Sequence, residues 1–180
     1  MAELVQRRYA GAYYEVAKEL QKEDDFLKEL QYIDAVLKDN PDFMKVLKAP
    51  MISKDEKKSL IEKVFADQLS ISTFNFLKIL IDKSRVATFP QISEEFRRLL
   101  NIDRNIKEVT AITASPLSAE LKAELIEKLK AITGSEIILN DELDASIMGG
   151  VLIKIGNEQM DGTVKHRLEA LKHEISAIIA

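Results

Sequence analysis

Lys107-Glu108-Val109-Thr110-Ala111-Ile112-Thr113 is rich in β-branched residues and free of Gly and Pro. Such a run reads as a β-strand. Beyond Ile106 an apolar period of two recurs, whereas before it the apolar residues keep the helical spacing. The switch near residue 105 divides the chain into 1–105 and 106–180. It predicts an α+β protein: an N-terminal six-helix bundle, then a small α+β domain with a short sheet and two helices.

On the C-terminal side, Pro116 breaks the strand and Ser118 can cap an amphipathic helix that buries Leu121, Leu125, Leu129 and Ile132. Gly134 supplies a left-handed stop. Glu136–Leu143 and Val151–Gly156 read as further strands joined through Asp144–Gly150. A turn at Gly156-Asn157 leads to a short strand ending at Asp161-Gly162. A last helix from about Thr163 presents Leu168, Leu171, Ile175 and Ile178.

On the N-terminal side, Val5, Tyr9, Ala12 and Val16 form the stripe of a first helix, with Leu4, Ala10, Tyr13 and Tyr14 outside it. Gly11 costs this helix about 1 kcal/mol relative to Ala and is read as room for a neighbouring or partner helix. Asp24 caps a second helix carrying Phe26, Leu30, Ile33 and Leu37. Asn40-Pro41 starts a third, since the cap oxygen and the fixed proline φ both suit a first turn. Ser53-Lys54-Asp55-Glu56 is a capping box opening a fourth. Ser70 or Ser72 opens a fifth through Phe74, Leu77 and Ile81, and Pro90 lies in the first turn of a sixth with Ile92, Phe96, Leu99 and Leu100. Short connections between six helices imply compact antiparallel packing.

The 180 residues include no Cys and no Trp and carry a net charge of −4. Without cysteine there is no disulfide, thiolate nucleophile or zinc knuckle. Residues 1–105 hold 18 basic and 18 acidic side chains and 106–180 hold 8 and 12, so the second part carries the whole excess. That balance argues against a nucleic-acid or anionic-membrane footprint. The apolar runs are far shorter than the ~20 residues of a membrane span, and no secretory or transit segment is visible. The expectation is a soluble, cytoplasmic protein.

Catalytic signals are poor. Gly149-Gly150 could cradle a phosphate, but no Lys-Ser/Thr follows and a strand comes next rather than a helix, so a turn or bulge is the better account. His166, Glu169 and His173 fall at i, i+3 and i+7 and could hold a metal ion, yet no fourth ligand is apparent. Asn140–Asp144 lacks the spacing of a calcium loop. Glu94-Glu95 points two ways on a helix, and the basic run Lys54–Lys58 is largely neutralised by Asp55 and Glu56. The expectation is no catalytic residue, no cofactor and no metal. The first and fifth helices carry apolar or small residues on more than one side, which suits either a central place in the domain or a bound partner helix.

Further motifs carry a resemblance. Arg8-Tyr9-Ala10-Gly11-Ala12, Asn75-Phe76-Leu77 with Leu80 and Arg85, and Asp144-x-Ser146-x-x-Gly149-Gly150-x-x-Ile153-x-Ile155-Gly156 occur in order. Asp161-Gly162-Thr163 and Arg167-Leu168-x-x-Leu171 follow. In order and spacing the chain resembles the delta subunits of bacterial F-type ATP synthases, which are related to the mitochondrial oligomycin-sensitivity-conferring protein. Ala145 stands where proline is common in that family and Thr163 where serine is common.

The resemblance implies a non-catalytic stator subunit of a proton- or sodium-translocating synthase, linking catalytic head to peripheral stalk. It implies an N-terminal domain that receives N-terminal helices of alpha subunits and a C-terminal domain that receives the ends of b subunits. One copy per complex is expected, on the cytoplasmic face of the bacterial inner membrane, with membrane association only through the complex. For the alpha-facing groove the candidates are Tyr9, Ala12, Asn75 and Ile79; for the stalk, Leu171, Ile175, Ile178 and Ile179. Gly149, Gly150, Asp161 and Gly162 are taken as fold-determining. The competing readings are a small metal- or phosphate-binding enzyme and a helical adaptor unrelated to ATP synthesis.

Overall fold

The computed structural model describes residues 2–65 and 68–169. The chain forms two compact units, Met1–Leu100 and Asn101–Ala180. The elements in order are α1 (Ala2–Glu19), α2 (Glu23–Asp39), α3 (Pro41–Lys48), α4 (Lys54–Phe65), α5 (Ile71–Asp82), a 3-10 helix (Val86–Thr88) and α6 (Phe89–Asp103). Then come β1 (Ile106–Thr113), α7 (Ala119–Thr133), β2 (Glu136–Leu143), β3 (Val151–Ile155) and β4 (Glu158–Asp161). A terminal helix starts at 164 and is described to 169. Leu171, His173, Ile175, Ile178 and Ile179 lie outside the described residues.

In the first unit the local signals act as their chemistry requires, with two exceptions. The capping box forms: the Ser53 N–H donates to Glu56 Oε2 at 3.0 Å and the Glu56 N–H donates to Ser53 Oγ at 3.2 Å. The Ser53 N–H, and then the Ser53 hydroxyl that donates to the same oxygen at 2.9 Å, hold the Glu56 carboxyl below its usual range. Pro41 occupies the first turn of α3, but the Asn40 side chain does not cap it. Its amide instead donates to the Val36 carbonyl at 3.0 Å, satisfying the C-terminal end of α2. Asp24 is not a cap either: α2 begins at Glu23, after a Lys22 without a side-chain cap bond. Glu23, Asp24 and Asp25 all sit in the first turn, where negative charge favours the helix dipole.

The core of this unit gathers Phe26, Leu30, Ile33 and Leu37 of α2 with Phe89, Ile92, Phe96 and Leu100 of α6. The face that α1 turns to this core differs from the expected stripe. Ala10, Tyr13, Tyr14 and Ala17 are buried, whereas Ala12 is exposed and Val16 is 40% exposed. Both stripes satisfy a 3.6 period, and side-chain volume chooses between them. Two tyrosine rings bury more area than two valines, and alanines one turn away on either side leave them space. Among the described residues, a Cβ placed on Gly11 would touch nothing within 4 Å beyond its own helical turn.

One charged group opposes this packing. Asp34 lies on α2 facing Ser93 on α6, with its Oδ1 buried and unpartnered. Burial raises its pKa above the ordinary carboxylate value, partly offset by the Ser93 hydrogen bond. A carboxyl whose folded pKa is raised favours folding below its unfolded pKa, and that contribution is lost as pH rises through the folded value. Asp34→Asn keeps the shape and removes the charge. The variant is expected to melt above the parent at pH 7, with the gain vanishing below about pH 4; thermal melts across that range check it.

The second unit holds a sheet in the order β2-β1-β3-β4. β1 runs parallel to β2, with Val109 opposite Leu139, and antiparallel to β3, with Ala111 opposite Ile153. A parallel neighbour requires a crossover, and α7 supplies it. Ser118 Oγ accepts from the Leu121 N–H at 3.3 Å, and Gly134 ends the helix in the left-handed region at φ 64°. Val109, Leu129, Ile137 and Ile153 form the core, with Leu125 and Ile126 packed against it. Of the four residues expected inside from α7, Leu121 and the 68%-exposed Ile132 stay out. They belong to the first and last turns, while the sheet is met by the two turns between them.

Candidate functional site

The site is built where α1 meets α5. The Tyr13 ring stacks on Phe76 with centroids 4.1 Å apart and planes 19° from parallel. Phe26 and Phe96 tilt against the same ring at 5.0 and 5.5 Å. Its hydroxyl lies 2.5 Å from Thr73 Oγ1, and Thr73 donates in turn to Glu29 of α2. Desolvation drives the Tyr13 pKa upward, beyond any physiological titration. This contact is therefore a neutral, aromatic, internally hydrogen-bonded pivot.

On each helix the pivot has a covered and an uncovered flank. On α1, the positions four before, one before and three after Tyr13 are Tyr9, Ala12 and Val16; these share one side of the helix. Tyr9 is half-buried, and Ala12 and Val16 are exposed. On α5, the equivalent positions around Phe76 are Ser72, Asn75 and Ile79, of which Asn75 is exposed and Ile79 is 48% exposed. The opposite flanks, Ala10, Tyr14 and Ala17 on α1 and Thr73, Leu77 and Leu80 on α5, are buried. Tyr9, Ala12, Asn75 and Ile79 thus occupy the uncovered flanks of one helix contact. Sequence reasoning assigned Val16 to the core; its place three residues after Tyr13 puts it on this flank. It also missed the Tyr13–Thr73–Glu29 chain, whose members are 44 and 60 residues apart.

The glycine motif of the second unit is filled by the chain itself. Gly149 accepts from the Val164 N–H and Val151 from the Gly162 N–H, each at 3.0 Å. A Cβ on Gly150 would lie 2.4 Å from the Gly162 carbonyl oxygen. The phosphate-cradle reading is thereby replaced by a backbone clamp. Asp144 Oδ1 accepts from the Ser146 N–H at 2.8 Å, and Asp161 Oδ1 from the Thr163 N–H at 2.9 Å. The Ser146 and Thr163 hydroxyls, then these N–H groups, keep both carboxyls below their usual range. Thr163 Oγ1 accepts from the His166 N–H at 3.3 Å and so caps the terminal helix, whose Leu168 is 58% exposed. Among the described residues no three His, Asp or Glu side chains are grouped to hold a metal ion, and no helix is long and apolar enough to cross a membrane.

A family model described as ATP synthase delta (OSCP) subunit matches residues 5–175. The chain belongs to that family. It is 40% identical to an ATP synthase subunit delta of Alkaliphilus metalliredigens over 99% of both proteins. It is 39% identical to one from Clostridioides difficile over the full length of both. Its fold also matches a chain in a structure of the Toxoplasma gondii mitochondrial ATP synthase hexamer. There the TM-score is 0.69 at 21% identity, covering 94% of this chain and 96% of that one. As a delta (OSCP) subunit, the protein is a non-catalytic part of the peripheral stalk of an F-type ATP synthase. The readings as a metal- or phosphate-binding enzyme and as an unrelated adaptor fall away.

Proposed function

We propose that the chain fastens the catalytic head of the synthase to its stalk by holding helices of other subunits. In this reading the six N-terminal helices act as one bundle, and residues 1–105 receive an N-terminal helix of an alpha subunit. The helix lies between Tyr9 and Ala12 on one side and Asn75 and Ile79 on the other. Residues 106–180 receive the C-terminal ends of b subunits through Leu171, Ile175, Ile178 and Ile179. One copy serves each complex, on the cytoplasmic face of a bacterial inner membrane, whether protons or sodium ions drive the rotor.

The observation that carries this reading is the pair of uncovered flanks beside the Tyr13–Phe76 stack. Ala12 leaves room for close approach, Ile79 offers an apolar anchor, and Asn75 offers a polar group that fixes register, the combination a helix-in-groove interface uses. A stator joint must outlast many turnovers. With Kd about 1 nM and kon about 10⁶ M⁻¹s⁻¹, release takes on the order of 10³ s, and several joints in one assembly extend it.

The test is calorimetric titration of the full chain with a synthetic peptide of the alpha-subunit N-terminus. Saturable binding at micromolar peptide or below is expected, and no heat at that concentration removes the groove.

A further inference from the structure

The start of α5 is capped twice, once by its own chain and once by another helix. Ser70 Oγ accepts from the Thr73 N–H at 3.3 Å, the ordinary N-cap bond. The reciprocal bond of a capping box runs from the N-cap residue's N–H to a carboxylate three residues on, as Glu56 provides for Ser53 in α4. The third residue after Ser70 is Thr73, which has no carboxylate. Glu29, on α2, fills that role: its Oε1 accepts from the Ser70 N–H at 3.0 Å, and its Oε2 accepts from Ser70 Oγ at 2.9 Å and from Thr73 Oγ1.

Donor direction then follows without ambiguity. Thr73 Oγ1 donates to Glu29 and its hydroxyl has a single proton to give, so it takes the proton of Tyr13. One carboxylate thereby ties α2 to the first turn of α5 and, through Thr73, to the middle of α1. Thr73 and Tyr13 are fully or nearly fully buried, where breaking a satisfied chain leaves orphan groups. We infer that Glu29 is a positioning residue: it caps α5 from a neighbouring helix and so sets the α1–α5 separation on which the docking furrow depends. The affinity part rests on the docking reading proposed above; the separation does not.

The chain has no cysteine, so Glu15→Cys on α1 and Lys83→Cys just after α5, both exposed positions, accept spin labels alone. In the labelled full chain, Glu29→Ala is expected to shift or broaden the interlabel distance distribution, and Glu29→Gln, which keeps an acceptor for the Ser70 N–H, to hold it. Thr73→Val, near in shape but without a hydroxyl, is the second variant should the alanine chain fail to fold. The same variants are titrated with the alpha-subunit peptide, where Glu29→Ala weakens binding about threefold to thirtyfold and Glu29→Gln largely restores it. A wild-type chain that binds no peptide sinks the docking reading while the distances still decide the positioning role. Lowered melting temperature with an unchanged distance distribution in both Glu29→Ala and Thr73→Val overturns it.

Discussion

Gly150→Ala is expected to cost the second unit about 2 to 5 kcal/mol, the sum of a strained left-handed backbone and a steric overlap. The backbone at Gly150 has φ 85°, and the added Cβ would fall 2.4 Å from the Gly162 oxygen and 2.9 Å from the Thr163 Cα. Both neighbours are main-chain atoms, so no rotamer change relieves the overlap. The site can yield only by parting the 149–151 segment from 162–164, which breaks the Gly162–Val151 and Val164–Gly149 hydrogen bonds. Four fully or largely buried apolar residues form the core of this unit, and a loss of that size is a large share of a small domain's stability. Urea unfolding of the full chain, followed by amide resonances at Val151 and Val164, reads it. Gly11→Ala is the control. It lies in a helix with nothing within 4 Å of the new atom, and is expected to stabilise by about 0.5 to 1 kcal/mol.

The second large effect concerns binding. Ile79→Glu should leave stability within about 0.5 kcal/mol, since half of that side chain already faces solvent. A central apolar anchor replaced by a charge costs a helix interface about 2 to 4 kcal/mol, or roughly 30-fold to 1000-fold in Kd for the alpha-subunit peptide. Ile132→Glu, an exposed isoleucine in the second unit, should change neither quantity. A full-strength interaction in the Ile79→Glu chain would show that the helix binds elsewhere. The two variants separate two effects: one loosens the clamp before the terminal helix, the other tests the proposed furrow without disturbing the fold.

Much of this was legible in the residues because the signals are local. Ser53 and Glu56, Ser118, Gly134 and the alternation from Ile106 act within one helical turn or one strand, and each element they announce is present. The rotation of α1 was not legible. Two stripes of equal period compete there, and the winner is settled by how Tyr13 fits among Phe26, Phe76 and Phe96. Asn40 shows the same limit at closer range, since a residue shared by two helix ends can serve either, and it serves the first. The places of Tyr9, Ala12, Asn75 and Ile79 on their helices follow from local spacing, while the Tyr13–Thr73–Glu29 chain does not. Glu29 looks like any helical glutamate until the fold brings it to Ser70.

The two margins of the sheet have a bearing on life before assembly. Among the described residues β2 and β4 each have one neighbouring strand, and unpaired strand borders invite copies of a protein to zip together. The β4 border carries Glu158 and Asp161; on β2, Glu136 and Asp141 are paired with Lys130 and Lys122 of α7, which leaves Glu142. Stacking two β4 borders would oppose like charges across the seam, a penalty that grows at low ionic strength. Edge-to-edge pairing of two free copies through β4 is thereby disfavoured.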